Sequence, residues 1–357
     1  MNHKHINQLD VFRALAALSV CSVHFTYQSF FHNYLAQGLF VQLFFTLSGF
    51  VIAYNYHDKL KNIKIFFEFV IKRLRRLYPL HLFFLLSFLI LEIVKYILTT
   101  KFNIQSNSPP FEYNNLKNFL LNILFIQHFA TESNFNAPSW SISVEIMLYI
   151  TFGLILLMFK NKFFLACLYF LYIIFFVIFL SSHYGKGQSI SAFYSGLYSF
   201  SIGYLFFYLY KMSHSFQYKN VFLDLVFYIL LSLFLLEVFY LEIIKYKYFY
   251  SIIFGFIFFY SCFLKKKFFL FKILFNSFFI FLGKISYSIY MSHLIIFFLF
   301  DNFLKHVLNH ETKIEGGNLV LNLNSFEANI YTILIYILVV LFSSFTYKFI
   351  EMKYYKK

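Results

Sequence analysis

A histidine and an arginine share the first apolar stretch of this chain, LDVFRALAALSVCSVHF. Arg13 and His24 stand eleven residues apart, very nearly three helical turns, so a helix projects both from one face about 16 Å apart along its axis. Asp10 comes one turn before Arg13 and is a partner for it. Imidazole accepts a proton at neutral pH without help from its surroundings, so His24 has the chemistry of a base or a nucleophile. A histidine near a helix end is usually a surface residue, whereas one in mid-membrane marks a functional site.

A second group lies in WSISVEI, Trp140–Ile146. Glu145 is the one carboxylate between Trp140 and Met158, with no Lys or Arg beside it. A buried carboxylate is costly unless paired, so Glu145 is a structural pairing or part of a site. Ser141 precedes it by four residues and shares its helix face. Ser143 lies between them, Pro138 starts the segment, and Trp140 sits at interfacial depth. Further on, GKISYSIYMSHL carries Ser286, Tyr287, Tyr290 and His293, with Tyr290 and His293 three apart on one face. Hydrogen bonding between helices accounts for that cluster equally well.

Two motifs bear on ligands. Ser48-Gly49, in LFFTLSGF, admits either a close helix or a close substrate. KRLRRLYPLH packs Lys72, Arg73, Arg75 and Arg76 before Pro79, which is read as a helix start. Such a run at a cytoplasmic face is a topology signal and contacts lipid headgroups, and it equally suits the phosphates of a nucleotide-like ligand.

The elements that position these groups follow from composition. Of 357 residues, 61% are hydrophobic and 13% charged, with mean hydropathy +0.69, against roughly 45–50% and 25% in soluble domains. Lipid leaves an open chain only helices, so the expected fold is all-α: a polytopic integral membrane protein of about ten transmembrane helices. Hydropathy windows place them at roughly 10–28, 38–56, 79–98, 141–159, 163–182, 190–210, 221–243, 248–264, 285–304 and 329–347. Asn115–Phe129 is too short to cross and reads as a re-entrant or interfacial segment, and Phe268–Leu282, which carries Lys272, reads as interfacial.

With both termini in the cytoplasm, most of the 30 Lys and Arg, including Lys265–Lys267, fall on the inner side, as the positive-inside rule asks. The net charge of +15 is therefore read as topology, not as a nucleic-acid footprint. The outer loops are Thr99–Ser139 and Lys305–Asn329, the latter polar, with Gly316-Gly317 and no recognisable internal structure. Cys21, Cys167 and Cys262 lack disulfide or metal-ligand spacing, so no metal is expected. No cleavable signal peptide is evident. Residues 1–357 are expected to form a single membrane domain with no appended soluble domain. The absence of a clear internal repeat weakens a transporter or flippase of a lipid-linked glycan or small solute, the alternative use of such charged groups.

LDVFRALAALSVCSVHF, FFTLSGF, KRLRRLYPLH, WSISVEIMLY and GKISYSIYMSHL, in this order, resemble the successive signatures of the membrane-bound acyltransferase family 3. The resemblance runs from about Leu9 to His293. It is to bacterial O-acetyltransferases that modify surface polysaccharides. It implies a multi-pass protein of the bacterial inner membrane, acetyl-CoA as cytoplasmic acyl donor with no permanently bound cofactor, and a glycan or lipid-linked glycan as acceptor. The family's arginine and histidine match Arg13 and His24, its basic run matches Arg73, Arg75 and Arg76, and its WSxSxE element matches Trp140–Glu145. The implied catalytic set is His24, Glu145 and Arg13. The implied donor-binding set is Arg73, Arg75, Arg76 and Arg13, with Ser48, Trp140, Ser141, Ser143, Tyr290 and His293 lining the site. Two departures bear on the acceptor: Ile146 replaces a second acid, and Ser292 replaces a tryptophan before His293. Direct deprotonation by His24 and an acyl-imidazole intermediate are both open at this level.

Overall fold

The structure, a computed structural model, describes residues 5–35, 39–103, 108–130, 135–180, 189–213, 221–236, 248–264, 269–315 and 318–355. The Lys265–Lys267 cluster, Gly316-Gly317, and residues 181–182 and 237–243 of two expected spans lie outside the described residues. The helices are α1 (Asn7–His24), α2 (Phe30–Leu35), α3 (Phe40–Tyr56), α4 (Ile63–Lys101), α5 (Leu116–Ile123), α6 (Gln127–Ala130), α7 (Trp140–Met158) and α8 (Lys162–Phe175). They continue with α9 (Ser189–Ser213), α10 (Val221–Leu236), α11 (Phe249–Ser261), α12 (Phe269–Leu274), α13 (Ser277–Lys284), α14 (Ser286–His306), α15 (Ser325–Thr346) and α16 (Met352–Tyr355).

Among the described residues, five helical stretches are long and apolar enough to cross a membrane, against the ten expected. They are Ile63–Lys101, Ala137–Met158, Lys162–Leu180, Ser286–His306 and Ser325–Tyr354. The other expected spans fall short for identifiable reasons. Helix α3 has 17 residues and α11 has 13, which rise about 25 and 20 Å against a hydrocarbon core of about 30 Å. Helix α10 has 16 described residues. Helix α1 carries Asp10, Arg13 and His24 in 18 residues. Helix α9 is long enough at 25 residues but is punctuated by Ser and Tyr.

The chain forms two compact units. The first comprises residues 1–17, 37–72 and 144–286. Its centre is the crossing of α3 and α9, made by glycines. A Cβ on Gly49 would lie 2.1 Å from the Phe200 carbonyl oxygen, and one on Gly203 would lie 1.9 Å from that of Thr46. Gly49 is thus a packing residue. Ser199 joins three helices, bonding Gln42 at 3.0 Å and Ser251 at 2.9 Å in the buried interior. Such bonds between apolar helices satisfy groups that lipid cannot.

The second unit comprises residues 18–36, 73–143 and 287–357. Here α14 is held to α15 by Ser292 and Ser343, 2.9 Å apart, and to α4 by Tyr287, whose hydroxyl donates to the Leu77 carbonyl at 2.7 Å. The re-entrant candidate folds as α5 and α6, both too short to cross, with Asn115 capping α5 by accepting from Asn118 N at 3.0 Å. Phe268–Leu282 likewise falls in two short helices, α12 and α13, of the first unit.

Two expectations are corrected. Helix α4 starts at Ile63 and runs 39 residues through Pro79, so the KRLRR run is helical and Pro79 starts nothing. Proline there cannot donate to the Arg75 carbonyl, one helical bond among many. The outer loop read as structureless contains an antiparallel hairpin of β1 (Thr312–Glu315) and β2 (Asn318–Leu321), with Thr312 opposite Leu321. Lys305 steadies it by donating to the Leu319 carbonyl at 2.7 Å.

Candidate active site

Helix α1 ends at His24, and α14 presents His293 two turns in. The structure pairs them: His293 Nε2 lies 3.1 Å from His24 Nδ1, with ring centroids 4.9 Å apart. Backbone carbonyls settle the tautomers. His293 Nδ1 faces the Ile289 carbonyl at 3.3 Å, and His24 Nδ1 faces that of Val20 at 3.1 Å. A carbonyl only accepts, so both Nδ1 atoms carry hydrogen when the rings are neutral. His293 Nε2 is then a lone pair, and the one His24 Nδ1–H is shared between it and the Val20 carbonyl. That leaves His24 Nε2 as the unprotonated end of the chain, on a half-buried ring, while His293 is fully buried. The Val20 carbonyl and His293 Nε2 together hold His24 in this tautomer, as the third group of a catalytic triad holds its base.

Tyr290 extends the group. Its ring centroid lies 6.1 Å from that of His293, and its hydroxyl bonds the Ser141 hydroxyl at 2.7 Å and the Pro138 carbonyl at 3.0 Å. The expected shared face of Tyr290 and His293 is present. Trp140 packs its indole 5.1 Å from the His128 ring, and Ser143 turns back on the Trp140 carbonyl at 2.8 Å. Arg73, Arg75 and Arg76 also belong to this second unit, with Arg75 exposed and the other two half-buried one turn apart on α4.

Arg13, Ser48 and Glu145 belong to the first unit. Asp10, buried, binds Arg13 at 3.0 Å, as the spacing predicts, and binds His5 as well. Glu145 accepts at one oxygen, Oε1, from the hydroxyls of Ser48, at 2.7 Å, and Tyr149. No ion pair to Glu145 occurs among the described residues, so the alternative of a paired cation gives way to two neutral donors. Ser141, expected beside it, bonds Tyr290 instead. Ile146 is buried apolar packing, and Ser292 bonds Ser343.

Sequence reasoning missed Tyr149, though its four-residue spacing from Glu145 was a usable signal.

A family model described as an acyltransferase domain, Acyl_transf_3, matches residues 6–348. The chain belongs to the family 3 acyltransferases. Acyltransferase MdmB of Streptomyces mycarofaciens is 31% identical over 157 residues. That match covers 40% of this chain, which spans 37% of the relative's length. No solved structure matches.

Proposed function

We propose that this acyltransferase moves an acetyl group from cytoplasmic acetyl-CoA to a hydroxyl of an extracytoplasmic or lipid-linked polysaccharide in the bacterial inner membrane, with both termini cytoplasmic. The observation that carries the reading is the His24–His293 pair, which leaves His24 Nε2 as a lone pair on an accessible ring. His24 Nε2 takes the acceptor hydroxyl proton as the oxygen attacks the thioester carbonyl. The C–O bond forms, the C–S bond breaks, and the departing CoA sulfur receives the proton from Nε2. Thioester-to-ester exchange is undemanding chemistry, so positioning and one managed proton are the protein's main tasks. An acyl-imidazole on the same Nε2 is the second route, distinguished by a trapped acyl-protein mass.

Arg73, Arg75 and Arg76 are assigned to the CoA phosphates, because guanidinium groups suit phosphate oxygens at a membrane face. Arg13, engaged by Asp10, is the further donor-side candidate. Glu145 is assigned to the acceptor, since both neutral donors fall on Oε1 and Oε2 can receive a substrate hydroxyl. The test is CoA release by purified protein with acetyl-CoA and envelope glycan, with mass spectrometry of the glycan for one added acetyl. Arg75→Gln is expected to weaken acetyl-CoA binding several-fold without disturbing the glycan. The absence of both CoA release and ester in active-membrane preparations overturns the reading.

A further inference from the structure

Among the described residues, three buried oxygens near Tyr290 and Met291 lack a hydrogen-bond partner. The Gln127 amide donates through Nε2 to the Ser139 carbonyl at 3.1 Å, and the Asn136 amide through Nδ2 to the Met291 carbonyl at 2.9 Å. A carbonyl only accepts, so both amides are held in one orientation, with Oε1 and Oδ1 turned away from these bonds. Among the described residues neither oxygen has a hydrogen-bond partner, and neither does the Ser139 hydroxyl. Gln127 and Ser139 are fully buried, and Asn136 is 2% exposed.

The three belong to one small structure. Ala137–Ser139 is a 3-10 turn preceded by Asn136, whose carbonyl accepts from Ser139 N at 2.8 Å, and Gln127 closes on its last residue. Buried polar atoms are nearly always matched, so three in a single turn is a concentration folding does not require. The turn is also next to the chemistry: Tyr290 donates to its Pro138 carbonyl at 3.0 Å and stands 6.1 Å, ring to ring, from His293.

Resting on the acyltransferase reading above, we propose that Gln127, Asn136 and Ser139 form the recognition site for the hydroxyl-bearing acceptor, and that this acceptor is a neutral polyol such as a sugar ring. Two amide oxygens present only lone pairs, and a hydroxyl is the neutral group that donates to them. A phosphate or carboxylate brings more lone pairs and is rejected, which separates this site from the one that holds the donor's phosphates. Trp140, half-buried beside Ser139, adds a flat apolar surface for the face of a sugar ring. The three oxygens are closed to solvent, so the site requires the turn to open for the acceptor to reach them.

Trp140 is the single tryptophan of the chain, so its fluorescence reports on this turn. Full-length protein in detergent is titrated with the methyl glycosides of glucose, galactose and N-acetylglucosamine, with inorganic phosphate as the anionic control. A saturable change with at least one glycoside and none with phosphate is expected. Ser139→Ala removes only an unmatched hydroxyl and is expected to weaken that response several-fold. A Gln127→Met, Asn136→Leu double variant is expected to weaken it about tenfold or more with acetyl-CoA affinity unchanged; it also strands the Ser139 and Met291 carbonyls and so melts lower, which makes Ser139→Ala the deciding variant. A response to phosphate alone, no response to any glycoside, or an undiminished response in Ser139→Ala overturns the site. Loss of glycan acetyl ester in His24→Ala cells but full ester in Ser139→Ala cells overturns the site and leaves the chemistry standing. Absence of ester and of CoA release from every form overturns the chemistry, while the Trp140 titration still decides the site.

Discussion

The histidine pair of the second unit and the Glu145 group of the first are both polar clusters in apolar helices, and they are satisfied differently. Glu145 takes two neutral hydroxyls, Ser48 and Tyr149, on one oxygen. His24 is bound at Nδ1 by a carbonyl and a second imidazole, and its other nitrogen carries the lone pair. Bonds to neutral hydroxyls satisfy a charge wherever it happens to be needed. A carbonyl–imidazole–imidazole chain does more, because it selects one tautomer and so decides which atom is basic. The difference separates a group held in place from a group prepared for proton transfer.

Replacing His24 tests the contrast most severely. His24→Ala is expected to lower acyl transfer at least about 100-fold, read as CoA release and glycan ester at equal protein level. Unchanged transfer would remove His24 from the chemistry. The next effect belongs to His293, a positioning residue. His293→Gln retains an acceptor for His24 Nδ1–H and is expected to lower kcat about tenfold with little change in KM. His293→Ala is expected to lower kcat further and to alter the pH–rate profile, because only the Val20 carbonyl is left to orient the His24 ring. Equal losses in the two variants, with an unchanged profile, would reduce His293 to packing.

Glu145 is expected to respond less. In Glu145→Gln the amide oxygen still accepts both hydroxyls, so melting in detergent should shift by no more than about 1 kcal/mol equivalent. Transfer should fall less than tenfold, with acetyl-CoA affinity retained. Glu145→Leu leaves both hydroxyls without their acceptor and is expected to cost about 1–3 kcal/mol. A destabilisation of Glu145→Gln as large as that of Glu145→Leu would show that the charge itself holds the bundle.

The smallest effect comes from a control histidine. His57, just beyond α3, is buried, with its Nδ1 3.3 Å from the Tyr204 hydroxyl. Burial, and then the charge of Lys211, lower its pKa from the ordinary 6.5 to about 4. The folded state therefore keeps it neutral while the unfolded chain takes up a proton. Its contribution to stability is full above about pH 6.5, declines as pH falls towards 4, and is level below that. His57→Gln is expected to flatten melting temperature against pH in that window and to leave transfer unchanged, setting a buried histidine without chemistry against one with it.

Much of this organisation was legible in the residues. The expected Asp10–Arg13 pair, the shared face of Tyr290 and His293, and the short Asn115–Phe129 elements all follow from helical periodicity and length. Periodicity failed where hydropathy alone was asked to decide a crossing. It gives α3 and α9 an apolar face but cannot show that α3 stops at 17 residues or that Ser and Tyr dilute α9. It also placed Ser141 with Glu145, since a common face is a direction and does not name a partner.

The sequence by itself determined the class of molecule, because an apolar fraction of 61% leaves helices in lipid as the solution, and it determined which groups could carry charge within them. Tertiary structure alone decided their pairings. His24 and His293 are 269 residues apart, and no local spacing relates them. A helix fixes the angle at which each ring leaves the backbone, whereas the packing of α1 on α14 fixes which nitrogen meets which. That contact adds to the local Val20 carbonyl a second acceptor for His24 Nδ1, one that only the fold could bring there.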